Sequence, residues 1–478
     1  MKILLLTPPQ VNAFKHRRKN KHSVKYGFLP PLGIGYVAAV LEPAGHTVKI
    51  IDAPVFDYDY DDLVRETQDF SPDLIGISIM TPTAPYGSEL AKHLKQKFPL
   101  VPIVMGGAHP TIFPEETIDM GSQVDIVVCG EGEYVMLDLV RCLEQGRPID
   151  EVRGIYFKRD GRVINTGPAP EIQSLDKIPF PARHLYVMSQ YAPEPFESQR
   201  LPSTNIIVSR GCTYARCTFC YRSGKLKRRY RTQSPQRSIE EIKTLVRDYK
   251  VRELVFYDDD LFSNKKWMRE FLDLLEKEKL DIVWSIRGRS NTTDYELLKK
   301  ARQLGCWNIE YGFESGNQDL LDNIRKGITL EQSRRVAKWA NELGIDVVGT
   351  FMLALPGETP AKARQTIDFA IELDCAYAAF IPTHPFIGTA LYEDCQKVGR
   401  LVDDLYAENM AGTRFLPKIS YIPDGYKSAG EVARMCQYAY RKFYFRPRFI
   451  WKHLKKIKSM EDIRRYWQGL RLALGLVK

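Results

Sequence analysis

The sequence predicts an α/β protein made of two parallel-sheet units. A doubly wound sheet is expected over residues 1–145 and a six-unit partial barrel over 204–395, with a hairpin and linker at 146–203 between them and a mostly helical, basic region over 396–478. Three observations predict it. Short apolar runs alternate with helix-length stretches through both units, as βαβ crossovers require. Prolines crowd the joining segment, at 168, 170, 179, 181, 193, 195 and 202, and break any long periodic element there. The net charge of +10 is confined to the end of the chain: from Arg441 to Lys478 there are 12 Lys or Arg against two acids, so residues 1–440 are formally neutral.

In the first unit, strands read at Lys2 to Thr7, Thr47 to Ile51, Asp73 to Ser78, Val101 to Met105 and Val124 to Val128. Helices read at about Leu32 to Ala44, Pro85 to Lys97 and Glu133 to Gln145, long enough for right-handed crossovers. Together these make a Rossmann-like sheet. The opening Met1-Lys-Ile-Leu-Leu-Leu-Thr-Pro-Pro9 reaches its proline pair too soon for a signal-peptide core. No apolar run approaches the roughly 18 to 20 residues of a membrane span. The expected location is cytoplasmic, or peripheral at the inner membrane face.

From Asn205 the alternation resumes, with strands at Asn205 to Ser209, Glu253 to Tyr257, Ile282 to Arg287, Trp307 to Gly312, Val347 to Leu353 and Ala376 to Ile381. Ser238-Ile-Glu-Glu241, Thr293-Asp-Tyr-Glu296 and Thr329-Leu-Glu-Gln332 read as capping boxes, and Thr359-Pro360 as a cap followed by a first-turn proline. Gly305 and Gly344 stop two helices. Six such units form a (β/α)6 TIM-type barrel, short of the eight-unit form.

A chain of 478 residues that is 44% hydrophobic has ample material for more than one core, which excludes wholesale disorder. Nine cysteines, an odd number, argue against a disulfide framework. The neutral body excludes a protein that coats nucleic acid along its length, and nucleic acid is disfavoured as a partner.

Chemistry concentrates in Ser209-Arg-Gly-Cys-Thr-Tyr-Ala-Arg-Cys-Thr-Phe-Cys220, on the loop leaving the first barrel strand, where barrels place their active sites. The thiols of Cys212, Cys217 and Cys220 are soft donors suited to zinc or to an iron-sulfur cluster. Zinc calls for a fourth protein ligand at short spacing; the next cysteine is Cys306, and no histidine lies between His184 and His384. Three thiolates without a fourth favour a 4Fe-4S cluster with one open iron.

With Phe219 before its last cysteine, this segment resembles the radical-SAM motif Cys-x3-Cys-x2-Cys, although the first gap here holds four residues. The resemblance implies that Cys212, Cys217 and Cys220 are the catalytic cluster ligands, and that the open iron chelates S-adenosylmethionine (SAM) for reductive cleavage to a 5'-deoxyadenosyl radical. It also implies SAM contacts at Phe219, at Asp259 in Tyr257-Asp-Asp-Asp-Leu-Phe262, at Arg287, and at Glu314 in Gly312-Phe-Glu-Ser-Gly316. Leu355-Pro-Gly-Glu-Thr359 looks like the family's turn beside the adenosyl group.

In the N-terminal unit no Gly-x-Gly-x-x-Gly follows the first strand, where Thr7-Pro-Pro-Gln10 stands instead, so NAD is disfavoured. The strand-end loops, with Pro30-Pro-Leu-Gly-Ile-Gly-Tyr36 and Glu42-Pro-Ala-Gly-His-Thr-Val48, resemble the cobalamin-binding domain of one radical-SAM branch. That branch includes cobalamin-dependent methyltransferases and the anaerobic magnesium-protoporphyrin monomethyl ester cyclase. The resemblance places cobalamin near Thr7, Pro8, Ser78, Thr81, Gly107, Gly130 and Glu131. Asp-x-His-x-x-Gly does not occur, so cobalamin is expected without histidine ligation to cobalt, His109 remaining a candidate contact or a plain turn residue.

The function expected is cobalamin-dependent radical-SAM chemistry, methyl transfer or oxidative cyclisation, at an unactivated carbon of a small or lipophilic substrate. A low-potential donor such as flavodoxin or ferredoxin would supply electrons. A methylthiotransferase acting on tRNA or protein is the first alternative, but it calls for extra cluster cysteines where this chain has only Cys129 and Cys142. A nonenzymatic cobalamin or iron-sulfur sensor is the second, and it would make the strand-end acids coincidental. Arg441-Lys-Phe-Tyr-Phe-Arg-Pro-Arg-Phe-Ile-Trp451 and the basic stretch Lys452 to Lys458 fit either an interfacial helix on an anionic membrane or a helix packed on the barrel with a solvated basic face.

Overall fold

The computed structural model describes residues 1–9, 25–119, 123–194, 197–402 and 419–454. They fall into two compact units that divide after Tyr191.

In the first unit β1 (Lys2–Thr7), β2 (Thr47–Asp52), β3 (Leu74–Ser78), β4 (Ile103–Gly106) and β5 (Ile126–Val128) form a parallel sheet in the order β2-β1-β3-β4-β5. The order reverses between β1 and β3, so the crevice of this unit lies at their carboxyl ends. The core strands are apolar throughout, as a sheet covered on both faces requires: Ile3, Leu4, Leu6, Ile75 and Val127 are buried. The expected hairpin forms as β6 (Ile155–Arg159) and β7 (Arg162–Asn165), and it extends the same sheet antiparallel from β5. Helices α1 (Leu32–Leu41), α3 (Ala84–Lys97) and α4 (Gly132–Glu144) stand where the periodicity puts them. Between β2 and β3 lies a further helix, α2 (Tyr60–Phe70), which the sequence reading passed over because only Asp62, Leu63 and Thr67 are buried. Its start carried a legible signal: Asp59 and Asp62 form a reciprocal capping box.

In the second unit β8 (Ser203–Ile206), β9 (Glu253–Phe256), β10 (Val283–Gly288), β11 (Cys306–Glu314), β12 (Asp346–Leu353) and β13 (Tyr377–Pro382) pair in chain order, every pair parallel. Alternate residues divide the strands between two environments. Ile309, Tyr311 and Phe313 of β11 enter the core with the outer helices, while Glu310, Gly312 and Glu314 belong to the opposite face. Helix α5 (Pro235–Tyr249) begins one turn before the expected Ser238. Ser234 is its cap, and Ser238 is buried with its hydroxyl donating to the Ser234 carbonyl. The next boundary is displaced by one residue: Asp294 caps α7 (Tyr295–Gln303), which follows α6 (Lys265–Glu278), while Thr293 bonds to Tyr311. Thr329 forms its capping box ahead of α8 (Leu330–Glu342), and Thr359 caps α9 (Pro360–Glu372).

The exposed backbone of the last strand, β13, is satisfied by the C-terminal helix α10 (Ala429–Tyr444). The Tyr444 hydroxyl accepts the Ala378 N–H at 3.1 Å and donates to its carbonyl at 2.9 Å, and the Tyr440 hydroxyl accepts the Phe380 N–H at 3.2 Å. A sheet edge is thereby closed to further strand pairing. Much of the aromatic content of the tail is packing. Phe443 is buried, Phe449 of α11 (Pro447–Leu454) meets Phe443 and Tyr444 edge-on, and Arg446 lies 4.0 Å over Phe443. Ile450 and Trp451 remain 45% and 62% exposed. The rest of the basic tail, from Lys455, lies outside the described residues. Among the described residues no helix is long and apolar enough to cross a membrane.

Candidate active site

The cysteine loop leaves β8 through a short antiparallel ribbon, Ser209–Arg210 against Arg231–Thr232. Each aspartate of Tyr257-Asp-Asp-Asp260 at the end of β9 anchors a different part of the surroundings. Asp258 is buried and accepts the Val208 N–H at 3.1 Å and the Ser209 hydroxyl, which sets the exit of the loop. Asp259 pairs with Arg222 at 3.1 Å, two residues past Cys220. Asp260, also buried, accepts the Thr292 hydroxyl at 3.1 Å and the Arg289 backbone N–H.

Burial pushes the Asp258 carboxyl from about 4 up to about 7, against the opposing pull of its hydrogen bonds. Between these values the folded chain holds a proton that the unfolded chain has released. The Asp258 contribution to stability is therefore full below about pH 4 and is lost as the pH rises to about 7. Asp258→Asn is expected to narrow the fall in urea midpoint between about pH 5 and pH 8. An unchanged fall would assign that slope to the other buried carboxyls.

Cys217 is buried and Cys212 and Cys220 are half-buried, all as free thiols. Burial raises the Cys220 thiol, and the nearby charges of Cys217, Asp259 and Cys212 raise it further, so the three thiols lie within electrostatic reach of one another. Among the described residues no three His, Cys, Asp or Glu side chains close around a single metal ion. Three soft thiol donors on one loop are the ligand chemistry of an iron-sulfur cluster, so this donor set suits one. The four-residue first gap is accommodated at Ala215, which adopts φ +43°, and by Tyr214, whose hydroxyl donates to the Arg325 carbonyl at 2.9 Å. The Thr218 N–H donates to the Ile324 carbonyl at 3.0 Å, docking the far end of the loop on the same segment.

Glu314 sits at φ +63° and forms a buried ion pair with Lys326, 2.7 Å apart, the two side chains 10% and 9% exposed. A Cβ on Gly312 would lie 2.5 Å from the Glu314 carboxylate and 2.7 Å from the Lys326 ammonium, so a larger residue there would displace the charged ends of the pair. Lys326 in turn lies 5.6 Å over the Phe219 ring. Two of the sequence-derived SAM residues, Phe219 and Glu314, are thus brought together through a lysine that the sequence reading missed. Arg287 is placed elsewhere. It bonds to Glu310 at 3.0 Å and stacks on Tyr257 at 4.9 Å, and Glu310 stands four residues before Glu314, roughly 13 Å back along the strand. Asp259 remains beside the loop, paired with Arg222.

Within Leu355-Pro-Gly-Glu-Thr359, Glu358 is buried, accepting the Ala354 N–H at 2.6 Å and the Tyr426 hydroxyl at 2.9 Å; burial pushes its carboxyl up to about 7. After β13, His384 bonds to Ser420 at 2.6 Å and meets Phe386 edge-on, with its basicity lowered by burial.

In the first unit the predicted cobalamin residues lie at the carboxyl ends of the strands, in unequal roles. Thr7 donates to Asp52 at 2.5 Å, and burial pushes that carboxyl up to about 6. Pro8 is buried, and Ser78 and Thr81 are partly open. Gly107 turns at φ +108°, and the Thr111 hydroxyl joins the two glycine loops by donating to the Gly107 carbonyl at 2.8 Å and accepting the Gly130 N–H at 2.9 Å. The Glu131 carboxylate accepts the Ile172 N–H at 3.1 Å, which ties it to the linker. His109 is fully buried with its ring against Phe113, and burial lowers it to about 4. It is a neutral core residue.

Gly106, at the end of β4, and Gly132, at the start of α4, each have room for a Cβ, whose nearest neighbours would lie 3.9 and 3.7 Å away. Met80, just past β3, leaves its apolar side chain 59% exposed.

Arg289, Lys326 and Asp52 escaped sequence reasoning, and Asp258 and Asp260 entered it only as the other acids of the run in which Asp259 was chosen. The two cations carry no motif of their own. The only available hint was position, Arg289 following a strand end and Lys326 preceding Gly327 and a capped helix.

Residues 23–140 match the B12 binding domain family, and residues 206–370 match the Radical SAM superfamily. The chain is 33% identical to the uncharacterized methyltransferase PH0819 of Pyrococcus horikoshii over 95% of both chains. It is 30% identical to cytidylyl-2-hydroxyethylphosphonate methyltransferase of Streptomyces wedmorensis over 83% of this chain and 82% of that one. It is 28% identical to the anaerobic magnesium-protoporphyrin IX monomethyl ester cyclase of Rubrivivax gelatinosus over 93% and 78%. Among solved structures, the cobalamin-dependent SAM radical enzyme OxsB shares the fold at a TM-score of 0.74 and 18% identity, covering 99% of this chain and 71% of that chain. The methyltransferase TsrM from Kitasatospora setae does so at 0.66 and 18%, covering 91% and 84%. With a B12-binding unit ahead of a radical-SAM barrel and a 33%-identical relative aligned across both, the chain belongs to the cobalamin-binding radical-SAM family of enzymes.

Proposed function

We propose that this enzyme transfers a methyl group to an unactivated carbon of a small or lipophilic substrate. The observation that supports methyl transfer is the alignment through both units with two relatives named as methyltransferases. When bound, the cluster and SAM supply a hydrogen-abstracting radical, and cobalamin carries the methyl group.

The chain's own residues have separable tasks. Cys212, Cys217 and Cys220 hold the cluster; Phe219, Glu314 and Lys326 receive SAM; Asp259 steadies the loop through Arg222. Arg287, bonded to Glu310 deeper on the same face, is a contact for substrate or the remote end of SAM. Thr7, Pro8, Ser78, Thr81, Gly107 and Gly130 line the crevice offered to cobalamin, and the seating of the His109 ring against Phe113, away from solvent, supports binding without histidine ligation. A flavodoxin or ferredoxin delivers the electron, and the exposed Ile450 and Trp451 support peripheral contact with an anionic membrane carrying a lipophilic substrate.

The second reading is oxidative cyclisation, favoured by the 28% identity to the cyclase over 93% of this chain. Product analysis distinguishes the two. Reconstituted anaerobically with cobalamin, SAM, reductant and candidate lipid, tetrapyrrole and phosphonate substrates, the protein is expected to yield S-adenosylhomocysteine together with 5'-deoxyadenosine. 5'-Deoxyadenosine without S-adenosylhomocysteine, together with a substrate-derived product that has lost two hydrogens and gained no methyl group, would overturn methyl transfer in favour of oxidation.

A further inference from the structure

Arg289 follows β10 directly, is 8% exposed, and is held from every side. Its main chain is fixed by Asp260, which accepts its N–H, and by the hydroxyls of Thr292 and Thr293, which donate to its carbonyl at 3.1 and 3.0 Å. One guanidinium nitrogen donates to the Lys326 carbonyl at 2.5 Å, and another lies 3.8 Å from the Cys217 sulfur. The guanidinium plane sits 4.1 Å over the Tyr214 ring, the residue that the long first gap of the cysteine loop brings there. A buried guanidinium is costly unless it faces negative charge. The acidic groups it faces are Asp260 and Cys217.

We propose that Arg289 is a positioning residue: it is the counter-charge of the cluster-bound Cys217 thiolate, and it holds the cluster at a higher reduction potential than the loop alone would. This rests on the cluster reading given above. The physical reason is direct. Reduction adds negative charge to the cluster and its thiolates, and a fixed cation beside one ligand sulfur stabilises the reduced form more than the oxidised one. The Tyr214 stacking and the Lys326 carbonyl keep that cation in register with Cys217. They also explain how a loop with one extra residue presents its middle cysteine at a constant distance.

The test is a redox titration of the full-length protein, loaded with iron and sulfide and free of SAM, followed by electron paramagnetic resonance with iron content measured in parallel. Arg289→Met is expected to keep its iron and, at the wild-type midpoint, to show a reduced-to-oxidised ratio about tenfold lower, equivalent to about 59 mV for one electron. Arg289→Lys, which keeps the charge, is expected to stay within about threefold of wild type.

If Arg289→Met and Arg289→Gln lose the cluster while Arg289→Lys retains it, the counter-charge role stands. Four results would overturn it: a loaded Arg289→Met with the wild-type midpoint; loss of iron in Arg289→Lys as well, which would make packing rather than charge the contribution; a Met and a Lys variant with equal midpoints; or a midpoint that moves only once SAM is added, which would assign the guanidinium to SAM. A wild-type protein that loads no iron would overturn the cluster reading itself, and this inference with it.

Discussion

Cys217→Ala, reconstituted anaerobically, is expected to bind far less than the about four irons per chain of a cubane and to bring 5'-deoxyadenosine formation down to the level without enzyme. In the proposed assignment three thiols are the whole protein complement of the cluster, so losing the buried middle one leaves two. No other cysteine offers a replacement. Cys306 is fully buried and its thiol is pushed up to about 12, and Cys395 is buried and likewise pushed to about 12. Cys395→Ala is therefore the matched control and should retain iron and SAM cleavage. Undiminished cleavage in Cys217→Ala would remove the cluster assignment.

Glu314→Ala is expected to lower folding stability by about 3–5 kcal/mol, the usual cost of stranding one partner of a buried ion pair, and to weaken SAM binding as well. The ammonium of Lys326 would remain inside, over Phe219, without the carboxylate that neutralises it. The double variant Glu314→Gln with Lys326→Met separates the two effects. Replacing a buried pair by uncharged groups of similar volume is often close to neutral, so the urea midpoint should recover most of the loss. SAM affinity, measured by equilibrium dialysis, should not recover, because the groups that receive it are gone. If the single variant binds SAM as wild type does, Glu314 is a purely structural residue, and the place assigned to SAM beside Phe219 falls with it.

These two sites illustrate how far the sequence could be read. Cys217 was legible as a candidate ligand because metal-ligand spacing is a local property: the residues lie within one loop, and the loop is placed by the strand before it. Glu314 was legible as a strand-end acid, but its partner was not. Lys326 is twelve residues away, and its approach depends on a glycine at 312 and on the docking of the cysteine loop. Arg287 and Arg289 show the limit most clearly. Two arginines two residues apart are alike in sequence, yet one is tied to Glu310 on β11 while the other lies just past the strand beside Cys217.

What the sequence determined by itself is the alternation of strands and helices apart from α2, the two-unit plan, the three-cysteine loop as a candidate site, and the confinement of charge to the last 38 residues. Those follow from periodicity, caps and short-range spacing, which act within a few residues. What only the tertiary structure decided is which polar groups are partners: the separate duties of Asp258, Asp259 and Asp260, the turning of His109 into the core, the use of Tyr440 and Tyr444 to close the barrel edge, and the placing of Arg289 on Cys217. Each of these joins residues from different strands or loops. The energy of such a pair is set by mutual burial and distance, and neither quantity exists until the sheet register has been fixed.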